Sequence, residues 1–355
     1  MSFATTIIRW FRENGRDLPW RETRDPYAIC LSEVILQQTR IDQGRPYWER
    51  FMRRWPTVGE LAAASEDEVL REWQGLGYYS RARNLHEAAR QVAAAGHFPD
   101  NYRDIRRLKG VGDYTAAAIA SFAFAQPVAV VDGNVYRVLS RHFGISTPIN
   151  STEGKKEFAA LAQALMEELS EYSEYSEYPD YSDYSDSSDF SDSSSYNQGL
   201  MDFGALQCTP ANPACHACPL ADSCIALHEN RVGELPVKRK TLKVRERRMS
   251  YIYIRYNGET ALHRRAAGDI WAGLYEPLAY SPENLSLRSE RMQCLKRNVR
   301  HVLTHRVIYA DFYLWEPDER PPLPDGYFWI RETDIDRYGV PRLVEMLLEE
   351  VSLKG

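Results

Sequence analysis

The sequence has no long hydrophobic run, and its first turns are charged. The longest largely apolar stretch, residues 116–125, is well short of the roughly 18 residues that a helix needs to cross a bilayer. Arg9, Arg12 and Glu13 near the start are not typical of a secretory signal. We therefore expect a cytoplasmic protein that has no membrane partner.

Cysteine is scarce outside one short segment. Cys30 and Cys294 stand alone, and the other four of the six cysteines lie within residues 208–224. In a cytoplasmic chain such clustering indicates a metal site before disulfides. Structural zinc sites usually show two tight cysteine pairs, and here there is only one, so a [4Fe–4S] cluster fits better and zinc is the alternative. The expected ligands are Cys208, Cys215, Cys218 and Cys224.

Basic residues are missing from residues 171–192, which contain eight acids. Without this segment the net charge changes from −6 to −6 + 8 = +2. Residues 231–248 contain eight Lys or Arg and two acids, a local charge of +6. Because local patches determine the attraction for phosphate, the acidic total does not exclude nucleic acid as a partner.

The acidic segment is part of a low-complexity insertion at residues 170–195. Its acids recur every third residue, which matches neither the period of a helix nor that of a strand. Self-repelling charge favours an extended chain, so the first interpretation is a disordered acidic loop. A second hypothesis is that the insertion mimics DNA and competes for the basic residues 231–248.

The rest of the chain divides into two parts with different residue patterns. Glycine-punctuated helical segments predominate up to about residue 230, with an Asp25-Pro26 helix start and a Ser65/Glu68 capping box. Strand formers follow from residue 249, and Asn257-Gly258 predicts a hairpin. Further strands are expected at residues 307–315 and 327–330, and a closing helix at residues 340–351. We predict a mostly α protein with a helical domain (residues 1–230), a basic linker (231–247) and an α+β domain (248–355).

Three sequence features carry possible chemistry within the helical domain. Residues 108–116 place two glycines between helices, and backbone N–H groups at a helix start can bind a phosphate; the alternative is an ordinary turn. Glu33 interrupts an apolar stretch, and Asp132 follows one. A buried carboxyl can act as an acid, and a second, ionised carboxyl can stabilise a cation. The alternatives are an exposed helix acid for Glu33 and an N-cap for Asp132.

These features occur along the chain together with two further motifs, the segment at residues 75–85 and the four cysteines. The chain reads LSEVILQQT at residues 31–39, GLGYYSRARNL at 75–85, LKGVGDYTA at 108–116 and VDGNV at 131–135, before the four cysteines. This combination resembles the MutY-type adenine glycosylases of the endonuclease III superfamily. The resemblance is strong over residues 1–170 and 196–235 and weak over residues 245–350.

The resemblance implies a helix–hairpin–helix glycosylase fold, with the hairpin at about residues 103–125 and a cluster loop at 208–224. The target base would leave the stack before reaction. Glu33 would protonate adenine at N7, and Asp132, with Asn134 beside it, would stabilise the cationic sugar. The residues expected to contact DNA or the lesion are Gln38, Tyr78, Leu76, Arg21, Trp20, Gly110, Val111 and Gly112.

Tyr114 indicates the reaction class. Relatives that cleave the strand carry a lysine at this position, whereas tyrosine has no amine for a Schiff base. We therefore expect removal of the base without strand cleavage.

The C-terminal segment resembles a Nudix-like module that reads 8-oxoguanine. Residues 271–276 read WAGLYE, and no complete Nudix hydrolase motif is present, so pyrophosphate hydrolysis is not expected. Residues 301–305 read HVLTH where the family often has His-x-Phe-Ser-His. Thr304 and His305 are the expected lesion contacts, and Leu303 replaces the usual aromatic ring; the alternative for His305 is a structural role.

The resulting hypothesis is a monomeric base-excision repair enzyme, associated with the nucleoid through DNA. It would remove adenine opposite 8-oxoguanine or guanine in double-stranded DNA. The alternatives are an endonuclease III-like pyrimidine glycosylase and a non-catalytic DNA-binding cluster protein.

Overall fold

The computed structural model describes residues 2–175, 192–239, 244–279 and 292–353. By their contacts these form two compact units. The first comprises Met1–Gln37 and Gln91–Lys240, and the second comprises Gln38–Arg90 and Thr241–Gly355. The predicted domain boundaries do not coincide with this division, and they stay a prediction.

The second unit combines two distant segments because polar contacts join them. Arg264 Nη2 lies 3.0 Å from carboxylate oxygens of both Glu66 and Asp67. The hydroxyl of Tyr275 donates to Asp67 at 3.0 Å. Residues 38–90 therefore belong with the C-terminal segment in three dimensions, which the sequence order does not reveal.

Helices account for most of the chain up to residue 230, as predicted. In chain order they are α1 Phe3–Asn14, α2 Pro26–Leu36, α3 Ile41–Arg54, α4 Val58–Ala63, α5 Glu66–Glu72, α6 Ser80–Ala95, α7 Tyr102–Ile105, α8 Asp113–Phe124, α9 Gly133–His142, α10 Thr152–Tyr175, α11 Asp192–Asp202 and α12 Ile225–His228. The Asp25 carboxylate caps α2, and Ser65 with Glu68 forms the capping box of α5. Both predicted helix starts are confirmed.

The C-terminal segment is α+β, as predicted. Its strands are β1 Arg245–Ile254, β2 Glu259–Arg264, β3 Tyr275–Glu276, β4 Leu278–Ala279, β5 Met292–Leu303, β6 Arg306–Trp315 and β7 Tyr327–Arg331, and α13 Arg342–Ser352 follows. One sheet has the order β4–β1–β6–β5, and the other has the order β3–β2–β7. β1 runs parallel to β6, while β5 and β6 pair antiparallel around a short turn.

The Asn257-Gly258 turn forms, but the two strands that flank it do not pair as a hairpin. Both residues have left-handed φ angles, 48° and 75°. Among the described residues only one bridge, between Tyr256 and Glu259, joins the two sides. The turn signal was therefore correct, whereas β1 and β2 pair in separate sheets.

Helices extend into both ends of the acidic insertion. α10 continues to Tyr175, and α11 begins at Asp192. Adding residues to an existing helix is easier than starting a new one. The helix anchored by the buried Phe158 and Leu165 therefore extends into residues that lack the hydrophobic periodicity of a helix. The predictions for residues 176–191, including DNA mimicry, lie outside the described residues.

Each unit has its own hydrophobic core. In the first unit α1, α9, α10 and α11 meet, with Ile7, Leu139, Phe158 and Tyr196 fully or almost fully buried. In the second, α13 packs on the sheet that contains β1 and β6. None of the helices in the described part of the chain is long and apolar enough to span a bilayer.

Candidate functional site

Glu33 is a buried carboxyl on α2. The residue is only 6% exposed, and its Oε2 accepts a hydrogen bond from the Tyr114 hydroxyl at 2.6 Å. Tyr114 lies in the first turn of α8, which packs against α2. The alternative interpretation of Glu33 as an exposed helix acid is therefore wrong.

The surroundings of Glu33 favour its protonated form. Burial raises the pKa of Glu33 to about 7, and the Asp132 carboxylate acts in the same direction. The Tyr114 hydrogen bond and the Arg21 guanidinium oppose this rise in pKa. Near neutral pH the carboxyl can therefore hold or release a proton, as a general acid must.

Asp132 is the N-cap of α9. Its Oδ1 accepts hydrogen bonds from the backbone N–H groups of Asn134 and Val135, both at 2.8 Å. Its Oδ2 accepts from Nδ2 of Asn134 at 2.8 Å. Burial raises the pKa of Asp132, while these hydrogen bonds lower it. The capping role considered from the sequence is present, and the same carboxylate also acts electrostatically on Glu33.

Arg137 links Asp132 to the cysteine loop, and the sequence did not single it out. Asn134 Oδ1 accepts from Nη2 of Arg137 at 2.8 Å, and that nitrogen also donates to the Gly204 carbonyl at 2.7 Å. Arg137 Nε donates to the Cys208 carbonyl at 2.8 Å. A Cβ on Gly204 would lie 2.6 Å from the Asn134 side chain, so glycine permits this close approach.

Arg21 is held by a buried carboxylate rather than left free. Its Nη1 and Nη2 donate to the two carboxylate oxygens of Asp202 at 2.8 and 2.9 Å. Asp202 is fully buried and also binds Arg16. Arg21 therefore acts on Glu33 as a fixed positive charge, and the neighbouring Trp20 is buried.

The four clustered cysteines lie in a loop that follows the π-helical turn Phe203–Gln207. Burial raises the pKa of Cys218 to about 11, and the charges of Cys208, Cys224 and Cys215 act in the same direction. Across the described residues, no group of three or more His, Cys, Asp or Glu side chains meets the geometry expected for a metal ion.

Two predicted DNA-contact residues of the second unit have unusual backbone conformations. Gln38 and Tyr78 are both exposed, with φ angles of 58° and 48°. Bulky residues rarely adopt this region, and such strain is concentrated at functional sites. The hydroxyl of Tyr78 is hydrogen-bonded to the hydroxyl of Thr304, 226 positions further along the chain. No feature of the sequence predicts this contact.

Arg81 supports the loop that carries Tyr78. Its guanidinium lies 5.1 Å from the Trp73 ring centre and 5.4 Å from that of Tyr78. Nη2 also donates to the carbonyls of Leu76 and Gly77 at 3.4 and 3.3 Å. The Leu76 side chain, expected at the DNA, is buried here.

The glycine turn between α7 and α8 is only partly available to an anion. Gly110 has a φ of 76°, and Gly112 is the N-cap of α8 without a side-chain cap. The N–H of Val111 donates to the Leu108 carbonyl at 3.1 Å, so it is already paired. Gly110 and Gly112 are exposed.

Two family models match the chain. Residues 31–167 match the HhH-GPD superfamily of base excision DNA repair proteins, and residues 250–350 match the NUDIX domain. The helical match agrees with the fold of the residues up to 230, and the second match agrees with the α+β segment.

Proteins named adenine DNA glycosylases align with most of this chain. The adenine DNA glycosylase of Buchnera aphidicola subsp. Baizongia pistaciae is 30% identical over 319 residues, covering 88% of this chain and 84% of that protein. The human adenine DNA glycosylase is 39% identical over 236 residues, covering 63% of this chain and 39% of the human protein. A solved thermostable thymine-DNA glycosylase is 30% identical with a TM-score of 0.53, covering 64% of this chain and 95% of that structure. The chain therefore belongs to the adenine DNA glycosylases, a family of base-excision DNA repair enzymes.

Proposed function

We propose that this enzyme removes adenine paired with 8-oxoguanine or guanine in duplex DNA and does not cleave the strand. The observation that carries the proposal is the buried Glu33 carboxyl, held by Tyr114 and raised in pKa to about 7. A carboxyl with this pKa can protonate a leaving base at neutral pH. The names of the relatives supply adenine as the base.

The reaction proceeds on a base that has left the stack. Glu33 donates its proton to N7 of adenine, and the C1′–N9 bond breaks with its electron pair moving to the base. The Asp132 carboxylate stabilises the positive charge that develops on the sugar. Water adds at C1′ and gives one proton to the Glu33 carboxylate, which restores the acid and leaves free adenine and an abasic site. Tyr114 has no amine to attack the sugar, so no Schiff base forms.

Recognition of the partner base is assigned to the second unit. The strained Gln38 and Tyr78 support a role beside the partner base, and the hydroxyl contact ties Tyr78 to Thr304. His305, next in the same turn, is exposed and carries ring nitrogens for hydrogen bonds to the lesion.

The cysteine loop suits an iron–sulfur cluster. The loop contains four soft sulfur donors within 17 residues, and Arg141 Nη1 donates to the Cys208 sulfur at 3.4 Å. Cys208, Cys215, Cys218 and Cys224 would hold a [4Fe–4S] cluster, which would supply a rigid cross-link for the loop. Arg141 also donates to the Thr209 and Pro210 carbonyls, so it organises the loop backbone.

The test is a single-turnover assay on duplexes that contain adenine opposite 8-oxoguanine, guanine or thymine. Adenine should be released from the first two only, and borohydride should trap no covalent complex. A parallel duplex with thymine opposite guanine tests the activity named for the thermostable structural relative. Release of thymine in preference to adenine, or efficient trapping of the wild type, would contradict the proposal.

Cys215→Ser is expected to lose most of the brown colour and the iron of the purified protein, because one of four thiolate ligands is gone. Iron and sulfide should each approach about four per chain in the wild type. Metal analysis and visible absorption of anaerobically prepared protein measure this, with Cys294→Ser, exposed and outside the loop, as the matched control. Zinc in place of iron in the wild type would reverse the assignment.

Tyr78→Phe and Thr304→Val should each narrow the preference for 8-oxoguanine over guanine, because both remove the hydroxyl contact. In a double-mutant cycle the second substitution should add little, with a coupling energy of about 0.5–1.5 kcal/mol in transition-state free energy. The ratio of single-turnover rates on the two duplexes measures the preference. Fully additive effects would mean that the hydrogen bond has no part in lesion reading.

A further inference from the structure

The outer face of the β5–β6 hairpin is exposed and continues from the Thr304–His305 turn. Residues opposite each other on neighbouring strands share a face, so the register places Arg248, Tyr309 and Arg300 in one row. The next row towards the turn contains Val307 and Val302. On the other face Ile308 and Ala310 belong to the core, and on this face the core residues Ile252, Ile254 and Trp315 lie further from the turn, so the side chains of these two rows point away from the core.

Among the residues that the structure describes, this face has arginines without carboxylate partners, although Arg248 Nη1 donates to Asn298 Oδ1 at 3.4 Å, and it also has an exposed valine. Arg248 and Arg300 are exposed, and neither has an ion pair with a carboxylate in the described part of the chain. The Arg248 guanidinium lies 5.8 Å from the Tyr309 ring centre, which holds it over the sheet. Val302 is 55% exposed, although a valine on a monomer's surface usually packs against neighbours.

We propose that Arg248, Arg300 and Val302 form a docking surface for the backbone of the DNA strand that carries the partner base. This inference rests on the proposed function, which assigns the adjoining turn to that base. Along a strand, Val302 and Arg300 lie about 7 and 13 Å behind Thr304. These spans correspond to about two and four nucleotides of duplex rise, at about 3.4 Å per nucleotide of one strand.

The chemistry of this surface matches a nucleotide backbone. Arginines bind phosphate oxygens through charge-assisted hydrogen bonds, and an exposed valine can contact the apolar face of deoxyribose. Two acids share the face. Asp311 accepts a hydrogen bond from the backbone N–H of Asn298 at 2.8 Å, and Glu246 is exposed opposite Val307. Glu246 would repel the phosphates that the arginines attract, so removing its charge should strengthen DNA binding, whereas removing an arginine should weaken it.

The experiment measures the salt dependence of binding to an undamaged duplex. Each phosphate contact contributes about 0.9 to the slope of log affinity against log salt. Arg248→Ala and Arg300→Ala should each lower that slope by about 0.9. Their loss of affinity between 50 and 200 mM salt should then be about 3.5-fold smaller than that of the wild type. Arg300→Lys should retain the slope, and Glu246→Gln should bind more tightly at low salt.

Arg337→Ala is the matched control. This exposed arginine lies outside the sheet and pairs with Asp334 at 3.3 Å. Its replacement should leave both the slope and the single-turnover rate of excision unchanged. An unchanged slope in both alanine variants, or an equal loss in Arg337→Ala, would overturn the surface. Absence of adenine release by the wild type would instead overturn the proposed function, since the salt slopes are measured on undamaged DNA.

Discussion

Glu33→Gln is expected to lower the single-turnover rate of adenine release by about 100- to 10,000-fold, while affinity for duplex DNA is retained. The amide has the shape of the carboxyl, and its oxygen can still accept the Tyr114 hydrogen bond, which is 2.6 Å long in the wild type. It has no proton with a pKa near neutral to give to adenine. The loss should therefore appear in the chemical step and not in binding.

The same variant should change the pH dependence of stability. The pKa of Glu33 is raised in the folded chain to about 7 from an ordinary value of 4.5, so folding favours the protonated form. That contribution is fully present below about pH 4.5 and is lost as pH rises through about 7. The free energy of unfolding of Glu33→Gln, relative to that of the wild type, should therefore increase by up to about 3 kcal/mol as the pH rises from about 4.5 to about 8.

Urea melts at several pH values, run beside the excision assay, measure both effects. Glu87→Gln is the matched control, because Glu87 is an exposed acid on α6. It should change neither the rate nor the pH dependence. Excision within threefold of wild type by Glu33→Gln would remove Glu33 from the role of general acid.

The sequence predicted the elements, and drew attention to the two carboxyls Glu33 and Asp132, better than it predicted the contacts between distant segments. The position of Glu33 within an apolar stretch allowed either a buried or an exposed acid, and the structure shows that the carboxyl is buried. Asp132 followed from an apolar run that ends at a helix start. These signals are local because burial and capping leave a mark within a few residues.

Contacts that depend on tertiary packing left no such mark. The hydrogen bond between the hydroxyls of Tyr78 and Thr304 joins the loop before α6 to the turn between β5 and β6. Neither segment has a local sequence pattern that predicts this contact. The Asn257-Gly258 turn was predicted correctly, but a turn fixes only its own backbone. The apolar residues of β1 and β2 select their partner strands, and they select different sheets.

Asp132→Asn is expected to reduce excision by about 100- to 1,000-fold, because the developing positive charge on the sugar loses its counter-charge. The asparagine Oδ1 can still accept from the backbone N–H groups of Asn134 and Val135, so the N-cap of α9 is retained. The replaced Oδ2 now becomes an N–H₂ donor that faces Nδ2 of Asn134. Two donors cannot satisfy each other, and the Asn134 side chain must rotate or lose this bond.

That rotation would withdraw the Asn134 oxygen from Arg137, which also holds the Cys208 carbonyl. A loss of activity could then arise from the disturbed chain of hydrogen bonds and not from the missing charge. Asp132→Ser separates the two causes. Serine caps a helix without a charge and places no amide donor against Asn134.

If the charge is responsible, both variants should lose excision to a similar extent while their iron content and melting temperature stay near wild type. If Asp132 only caps α9, Asp132→Ser should excise adenine at close to the wild-type rate once corrected for the folded fraction. Rates, iron analysis and thermal melts on the same preparations give this comparison. A serine variant that is fully active would assign stabilisation of the sugar cation to another group, because serine offers no negative charge at that position.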